Sequence, residues 1–209
     1  MLNGLALAVF FLMAWNIAAI ADEAKNADEI RIVAFGTSFT RGQGVSLNEA
    51  FPARLEELLR ADGLNVRVKN EGVSGETTLD LIRRVNYAVP EGTQVVIFEY
   101  AFGNDHNKGI KPIETVVNSD KIIAQLVARK IQVLLVIRAF DQEKLQRFTN
   151  LFSGVVARNG ISYIAIEQPK SSILPDGWAH PTVKAHGEIA ASMVPPVKQL
   201  IERARGTRN

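Results

Sequence analysis

The sequence contains no cysteine, which excludes disulfide bridges, thiolate metal sites and cysteine nucleophiles. Histidine is scarce, so a histidine base has to be His106, His180 or His186. An excess of charge of one sign is also missing, because 24 Lys and Arg face 22 Asp and Glu. A chain without a basic stripe is not expected to bind nucleic acid. We find no internal repeat that would indicate a solenoid or a propeller.

The remaining composition is that of an ordinary globular protein. The 209 residues are 47% hydrophobic and 22% charged, which argues against disorder along the whole chain. This length is enough for one domain with a core of its own.

Charged side chains are absent from residues 1–21, of which 18 are apolar, and charge begins at Asp22. The stretch ends in Ala19-Ile20-Ala21, small residues typical of a signal-peptide cleavage site, although Lys and Arg are missing from its start. We therefore expect export to the periplasm or the medium, with cleavage after Ala21 and a single domain over residues 22–209. An uncleaved membrane anchor is the alternative, because about 20 apolar residues can span a bilayer.

Two hydrophobic periodicities alternate along the rest of the chain. Short apolar or alternating runs predict strands over residues 30–35, 65–68, 94–100, 132–137 and 162–166. Helical spacing predicts helices over 48–61, 77–89, 113–129, 141–159 and 182–204, the last kinked or interrupted at Pro195-Pro196. This alternation predicts an α/β fold, a five-stranded parallel sheet with helices on both faces.

Residues suited to a chemical role follow four of the five predicted strands. They lie at the edge of the sheet where ligands of parallel sheets bind. Ser38 follows the first strand, Gly75 the second, Asn104 the third, and Asp176 with His180 the fifth. A turn or a helix cap would explain each of them separately. Together they supply a nucleophile, a base with its acid, and donors for an oxyanion, which predicts an acyl-transfer site.

Two helical patterns near these residues bear on the substrate. The predicted helix over 77–89 places Leu79, Ile82 and Val85 on one apolar stripe. Residues 109–117 are a candidate lid, in which Ile110, Ile113 and Val116 form either an acyl-chain surface or the buried face of the following helix.

Four sequence blocks resemble those of the SGNH hydrolase (GDSL esterase/lipase) superfamily. They are G-T-S-F-T-R-G-Q-G at 36–44, N-E-G-V-S-G-E-T at 70–77, F-G-N-D at 102–105 and D-G-W-A-H-P at 176–181. Their order along the chain resembles most closely the branch of small exported lysophospholipases, thioesterases and arylesterases.

The resemblance implies a flavodoxin-like three-layer α/β/α sandwich and a role for each block. Ser38 would be the nucleophile, His180 the general base and Asp176 the acid that orients the imidazole. The oxyanion hole would consist of the Ser38 and Gly75 N–H groups and the Asn104 amide. The resemblance implies a small acyl ester or thioester as substrate, transient contact with lipid substrate, and no metal or organic cofactor; the oligomeric state stays open.

Two positions depart from the usual family pattern. Thr37 and Phe39 stand where G-D-S-L has Asp and Leu, and Asp176 and His180 lie four positions apart in the sequence rather than three. Two other functions fit the same blocks. One is acetyl removal or transfer on an envelope polysaccharide, and the other is a ligand-binding module of the same fold without catalysis.

Overall fold

A computed structural model describes residues 29–168, 170–175 and 180–206 of the chain. The signal peptide predicted over residues 1–21 lies outside the described residues, and so does Asp176. Among the described residues, no helix combines the length and the apolar character needed to cross a membrane.

A five-stranded sheet with every pair of neighbours parallel forms the middle layer. The strands are β1 (Ile30–Gly36), β2 (Val66–Gly72), β3 (Val95–Glu99), β4 (Gln132–Ala139) and β5 (Ser162–Glu167). Their order is β2-β1-β3-β4-β5, that of a flavodoxin-like sheet, which confirms the predicted fold class.

Seven α-helices lie within the described residues: α1 (Ser38–Arg41), α2 (Phe51–Ala61), α3 (Thr78–Ala88), α4 (Phe102–Asn107), α5 (Pro112–Ala128), α6 (Gln142–Asn159) and α7 (Val183–Gly206). A 3-10 turn occupies Lys170–Ser172. The sequence did not predict α1 and α4, because helices of four and six residues are too short to produce a periodic pattern.

Helix α7 continues through Pro195 and Pro196, so the predicted interruption is wrong. Proline inside a helix removes a hydrogen bond and costs about 3 kcal/mol. The apolar face of α7 remains buried on both sides of the pair, through Met193 before it and Val197 after it. We attribute the continuity of the helix to this packing.

Each face of the sheet carries its own hydrophobic core. On one face α2 and α7 pack against alternate residues of the central strands, including Ile32 and Ala34 of β1. On the other face α3, α5 and α6 cover the intervening residues, including Val33 and Phe35. Both faces of β1, β3 and β4 are therefore apolar, which explains the nearly continuous hydrophobic runs in their sequences.

The buried stripe of α3 differs from the predicted one, because Leu79 is 43% exposed. The residues that face the core are Thr78, Leu81, Val85 and Ala88. This face is the buried one because the side chain of Thr78 bonds inside the protein to Asp105. A buried threonine at the start of the stripe hides the true face from a purely hydrophobic pattern.

Each of the two interpretations of the candidate lid over residues 109–117, an apolar surface and the buried face of a helix, fits part of the segment. Val116 is buried and belongs to the inner face of α5, whereas Ile113 is 60% exposed and Ile110 is half-buried. The segment therefore contributes to both the core and the surface.

Candidate active site

The predicted site residues occupy the crevice that this strand order creates. The chain leaves β1 towards β2 on one side and leaves β3 towards β4 on the other, so the carboxyl ends of β1 and β3 border a topological switch point. Ligands of open parallel sheets bind at that point. Ser38 follows β1 and Asn104 lies on α4, directly after β3.

Ser38 is the first residue of α1, and the N-cap position belongs to Thr37. Its carbonyl oxygen accepts hydrogen bonds from the N–H groups of Gly42, at 3.1 Å, and Gln43, at 3.0 Å. Gly42 ends the helix with φ of 77°, a left-handed conformation that favours glycine. The Ser38 side chain is half-buried, and its hydroxyl has no hydrogen-bond partner among the described residues. A single helical turn thus holds the backbone around this hydroxyl.

The loop after β2 is bonded to the segment that follows Ser38. The Ser74 hydroxyl donates to Gln43 Oε1 at 2.8 Å, and the Val73 N–H donates to the Gly36 carbonyl oxygen at 3.1 Å. Gly75 has φ of 83°, a conformation that L side chains rarely adopt. These contacts fix the Gly75 loop beside the turn that carries Ser38.

Asn104 is bonded to the same loop from the opposite side. Its Nδ2 donates to the carbonyl oxygen of Glu76, the residue after Gly75, at 2.7 Å. This bond uses one of the two amide hydrogens and leaves the other for a ligand. The structure therefore brings the segments of Ser38, Gly75 and Asn104 together through side-chain hydrogen bonds, as expected from their positions after neighbouring strands.

Asp105 connects α4 to the two neighbouring helices through its side chain. It is fully buried, and its carboxylate accepts from the Thr78 N–H at 2.8 Å and from the hydroxyls of Thr78, at 2.6 Å, and Thr115, at 2.7 Å. Helices α3, α4 and α5 thus meet at one carboxylate. The sequence does not reveal this role of Asp105, because its partners Thr78 and Thr115 lie 27 and 10 residues away along the chain.

Glu99, at the end of β3, is the main site residue that sequence analysis missed. Its side chain is buried, and Oε2 accepts from the Thr37 N–H at 2.7 Å, the Thr37 hydroxyl at 3.0 Å and the Thr40 hydroxyl at 3.3 Å. A Cβ on Gly36 would lie 2.6 Å from the same oxygen, so glycine is required there. Glu99 therefore fixes the turn that presents Ser38.

The guanidinium of Arg138 lies on one side of the Glu99 carboxyl group and partly balances its charge. Burial raises the pKa of its carboxyl group, while Arg138 and the bonds from Thr37 oppose that rise. Arg138 Nη2 lies 3.9 Å from Glu99 Oε1, and the guanidinium stacks 4.5 Å above the ring of Phe39. Arg138 also donates to Gln168 at 3.1 Å.

Arg84 supports the other side of the crevice. Its guanidinium donates to Glu76 Oε2 at 2.5 Å and to the carbonyl oxygens of Gly36 and Glu71, each at 3.0 Å. It also stacks 4.6 Å from the ring of Phe35. One side chain of α3 therefore connects the ends of β1 and β2 to the loop that carries Gly75.

His180 and His186 lie at the same corner of the molecule. His180 is 7% exposed, and its carbonyl oxygen accepts from the Leu174 N–H at 2.7 Å. His186 lies close enough to His180 for that neighbour to depress its pKa, and its ring is 6.2 Å from that of Phe39, the residue after Ser38. The His180 segment thus adjoins the α1 turn. Hydrogen bonds between catalytic groups are often long or absent before substrate binds.

His186 itself is packed inside the protein, with none of its surface exposed. Its Nδ1 accepts from the Phe51 N–H at 3.2 Å, which places the proton of the neutral ring on Nε2. Burial is the main cause that lowers its pKa to about 4, with Arg138 and His180 adding to the effect. His186 is consequently neutral at neutral pH and does not carry a catalytic charge.

The predicted acid Asp176 lies outside the described residues, so its pairing with His180 stays a prediction. Among the residues described, no group of three or more histidine, aspartate or glutamate side chains is placed to hold a metal ion.

A cavity of about 550 Å³ opens at the carboxyl ends of β3 and β4 and is lined by Gly103, the residue before Asn104. Four aromatic side chains contribute to its wall: Tyr100, Phe102, Phe140 and Phe148. The rings of Phe102 and Phe148 lie 4.5 Å apart. Polar groups in the lining come from His106, Arg138, Lys144 and Arg147. Its size and apolar character are those of a small-molecule site.

Comparison with known families decides the assignment of the chain. The profile of the GDSL-like Lipase/Acylhydrolase family matches residues 34–187, which include the end of β1, the other four strands and all the site residues named above. The chain belongs to this family. Ester hydrolysis in general is the chemistry that membership in this GDSL-like family supports.

Solved structures agree with the assignment of this GDSL-like hydrolase. AlinE4, an SGNH-hydrolase family esterase, is 28% identical with a TM-score of 0.62, and the match covers 82% of this chain and 96% of AlinE4. TesA matches with a TM-score of 0.70 at 20% identity, over 82% of this chain and 99% of TesA. The lipase/acylhydrolase from Enterococcus faecalis matches with a TM-score of 0.70 at 21% identity, over 81% and 96% of the two chains.

The last two similarities establish the fold alone, while AlinE4 adds an esterase of the same superfamily. A comparison with curated proteins finds no significant match. This GDSL-like hydrolase is accordingly assigned to the carboxylic ester hydrolases as a class.

Proposed function

We propose that the chain hydrolyses carboxylic esters or thioesters through an acyl-enzyme on Ser38. The observation that carries the proposal is the hydrogen-bonded connection of Ser38, Gly75 and Asn104 at the switch point. Gln43 with Ser74 and Asn104 with the Glu76 carbonyl make this connection. This connection supports the proposal because acyl transfer requires a nucleophile with N–H or amide donors near it.

The proposed reaction begins when His180 removes the proton of Ser38 and the serine oxygen attacks the substrate carbonyl carbon. The oxyanion that forms accepts hydrogen bonds from the Ser38 and Gly75 N–H groups and from Asn104 Nδ2. Protonated His180 then gives its proton to the departing alkoxide or thiolate, and water releases the acid in a second round. In this proposal Asp176 orients the imidazole and stabilises its charged form. Each oxyanion donor is worth about 10²–10³ in kcat.

We further propose that the aromatic cavity receives the acyl group. It lies beside Asn104, and its wall is mainly apolar, so an alkyl or aromatic acyl chain would leave water on entering it. The alcohol or thiol part of the substrate would stay outside, which favours lysophospholipase, arylesterase and thioesterase substrates alike. The charge-free residues 1–21 support action outside the cytoplasm or at a membrane.

Replacement of Ser38 by alanine tests the nucleophile. With p-nitrophenyl esters from acetyl to decanoyl, we expect kcat to fall by about 10⁶, to the background rate, because no acyl-enzyme can form. A fluorophosphonate should add one adduct mass to the parent and none to Ser38→Ala. Ser46→Ala is the matched control, since Ser46 is exposed and its hydroxyl bonds only to Glu49 among the described residues.

Unchanged turnover or labelling in Ser38→Ala would disprove the proposed nucleophile. A parent that neither turns over nor labels would indicate a binding module of the same fold. We expect kcat/KM of the parent to rise from acetyl towards medium-chain esters. A clear preference for acetyl would instead favour a polysaccharide acetyl esterase.

A further inference from the structure

An apolar groove runs along the outside of the molecule between α3 and α5. Four apolar side chains line it: Leu79 from α3, Ile110 from the segment before α5, and Ile113 and Val117 from α5. The rest of the lining consists of Gly109, Glu114, Asn118 and Lys121. The groove has a volume of about 500 Å³. Leu79, Ile113 and Val117 are 43%, 60% and 46% exposed, so the groove presents hydrocarbon to water. Contiguous exposed apolar side chains mark surfaces that contact another body.

Three exposed lysines lie at or beside this groove: Lys121 lines it, and Lys108 and Lys111 flank its residues Gly109 and Ile110 in the chain. None of the three forms an ion pair within the described part of the chain, as is also true of Lys130 and Lys170, whereas four other lysines on the surface do: Lys69, Lys144, Lys184 and Lys198. The groove is thus a mainly apolar strip with an excess of positive charge beside it.

Two of the three carboxylates near the groove are paired with arginines: Asp80 bonds to Arg83, and Asp120 bonds to Arg158 at 3.0 Å. The third, Glu114, lines the groove and accepts from the Lys111 N–H at 2.8 Å, which leaves its negative charge in place. Three lysines therefore face one carboxylate that has no cationic partner among the described residues, and positive charge remains in excess for an external partner.

The groove adjoins the proposed active site. Helix α4, which carries Asn104, ends at Asn107, and the chain then passes through Gly109 and Ile110 into α5. Other exposed apolar side chains lie in segments that follow strands on the same edge of the sheet: Leu47, Val73 and Phe140. Several exposed apolar side chains therefore lie on the side of the molecule where the proposed site is located.

We propose that this groove docks onto an anionic lipid surface. Apolar side chains that enter the boundary between headgroups and acyl chains, with lysines held at the headgroup level, are the pattern of interfacial binding. A second copy of the chain fits less well, because a two-fold contact would bring the lysines of both copies together. Docking would place the aromatic cavity next to amphiphilic esters, and it does not depend on the chemistry of Ser38.

Vesicle flotation with the full chain tests the proposal. Phosphatidylcholine vesicles are compared with vesicles containing about one third phosphatidylglycerol. We expect binding to the anionic vesicles to fall by about tenfold or more in Lys108→Glu/Lys111→Glu, since each lysine near such a surface contributes about fivefold. Ile113→Ser/Val117→Ser should also lose binding. Added salt should weaken binding by the parent.

Matched controls separate docking from unfolding and from other contacts. Lys130→Glu reverses an exposed charge at the far end of α5, and Tyr163→Ser removes an exposed apolar side chain from β5. Both should bind like the parent, and every variant carries the same residues 1–28. Hydrolysis of a soluble butyrate ester should stay unchanged in all variants, so a failure of docking is distinguishable from a failure of the proposed function.

Binding that is equal on neutral and anionic vesicles, or unaffected by the groove variants, would overturn the proposal. A concentration-dependent dimer that Ile113→Ser/Val117→Ser dissociates would also overturn it, in favour of self-association.

Discussion

Glu99 shows how a single buried side chain organises the turn of a proposed nucleophile. Its carboxylate receives an N–H and a hydroxyl from Thr37, the residue before Ser38, and a hydroxyl from Thr40, two residues after it. Hydrogen bonds to a buried carboxylate are among the stronger ones in proteins. The Ser38 N–H, a proposed oxyanion donor, is therefore held in place before substrate arrives.

Glu99→Gln should reduce kcat by about tenfold with little change in KM, because a neutral amide oxygen is a weaker acceptor for the three donors than a carboxylate, and the amide NH2 would face Arg138. The expected change corresponds to about 1.4 kcal/mol in the activation barrier. Steady-state kinetics on a soluble ester and the rate of fluorophosphonate labelling measure it.

Glu91→Gln, an exposed change in the loop before β3, is the control for the Glu99 variant. Thermal unfolding should show both variants folded. Equal kcat in parent and Glu99→Gln would show that the turn keeps its geometry without the carboxylate.

The site residues that the sequence indicated differ in their position along the strands from those that it did not reveal. Ser38, Gly75 and Asn104 could be found from the sequence because they follow strands, and position after a strand predicts position in the crevice. Glu99 and Arg138 could not, because each ends an apolar strand run like an ordinary boundary residue. Their role comes from the pairing of β1 with β3, which sets Phe35 opposite Phe98 and brings Glu99 under Thr37.

At the scale of elements, periodicity predicted all five strands and the five longer helices. Most of the predicted boundaries lie within three residues of those observed. Buried parallel strands and amphipathic helices have distinct hydrophobic periods, which is why their type and order were predictable. The short helices α1 and α4 were not, since tertiary hydrogen bonds stabilise them rather than local pattern. The face of α3 was also missed, because its first inward residue is a threonine.

Asp105→Asn should lower the free energy of unfolding by about 2–3 kcal/mol, because hydrogen bonds to a buried charge are lost where three helices meet. An amide nitrogen would also face the hydroxyl of Thr78 or Thr115. Urea denaturation followed by circular dichroism measures the change.

Asp62→Asn serves as the control for Asp105→Asn, because it breaks only an exposed pair with Lys198 and should change stability by less than about 1 kcal/mol. Equal stability of parent and Asp105→Asn would show that α4 is held by packing alone.

At the scale of the whole molecule, His186 links stability to pH. Its pKa is lowered to about 4 by burial, Arg138 and His180, while 6.5 is the value expected in the unfolded chain. Between these values the unfolded chain binds a proton that the folded protein rejects, so stability falls as pH falls. Above pH 6.5 both states are neutral, and below about pH 4 both are charged.

The stability lost between neutral pH and about pH 4 through this group should be about 3 kcal/mol. His186→Gln should remove that part of the pH dependence. Urea unfolding of parent and variant at about pH 7.5 and about pH 5 gives the difference in slope directly.

His106→Gln removes an exposed imidazole and should keep the pH slope of the parent. A slope in His186→Gln equal to that of the parent would assign the pH dependence to other groups.

The strand order also places the two parts of the proposed site on different connections. The proposed serine and oxyanion donors follow β1, β2 and β3, whereas Phe140 of the aromatic cavity lies in the loop after β4 and Phe148 lies on α6. Arg138 contacts both parts, since it lies 3.9 Å from Glu99 and lines the cavity. Exchange of the segment from Phe140 to the end of α6 between relatives, with Arg138 kept, should therefore change the acyl preference and leave the proposed hydrolytic centre intact, so that substrate range evolves separately from the chemistry.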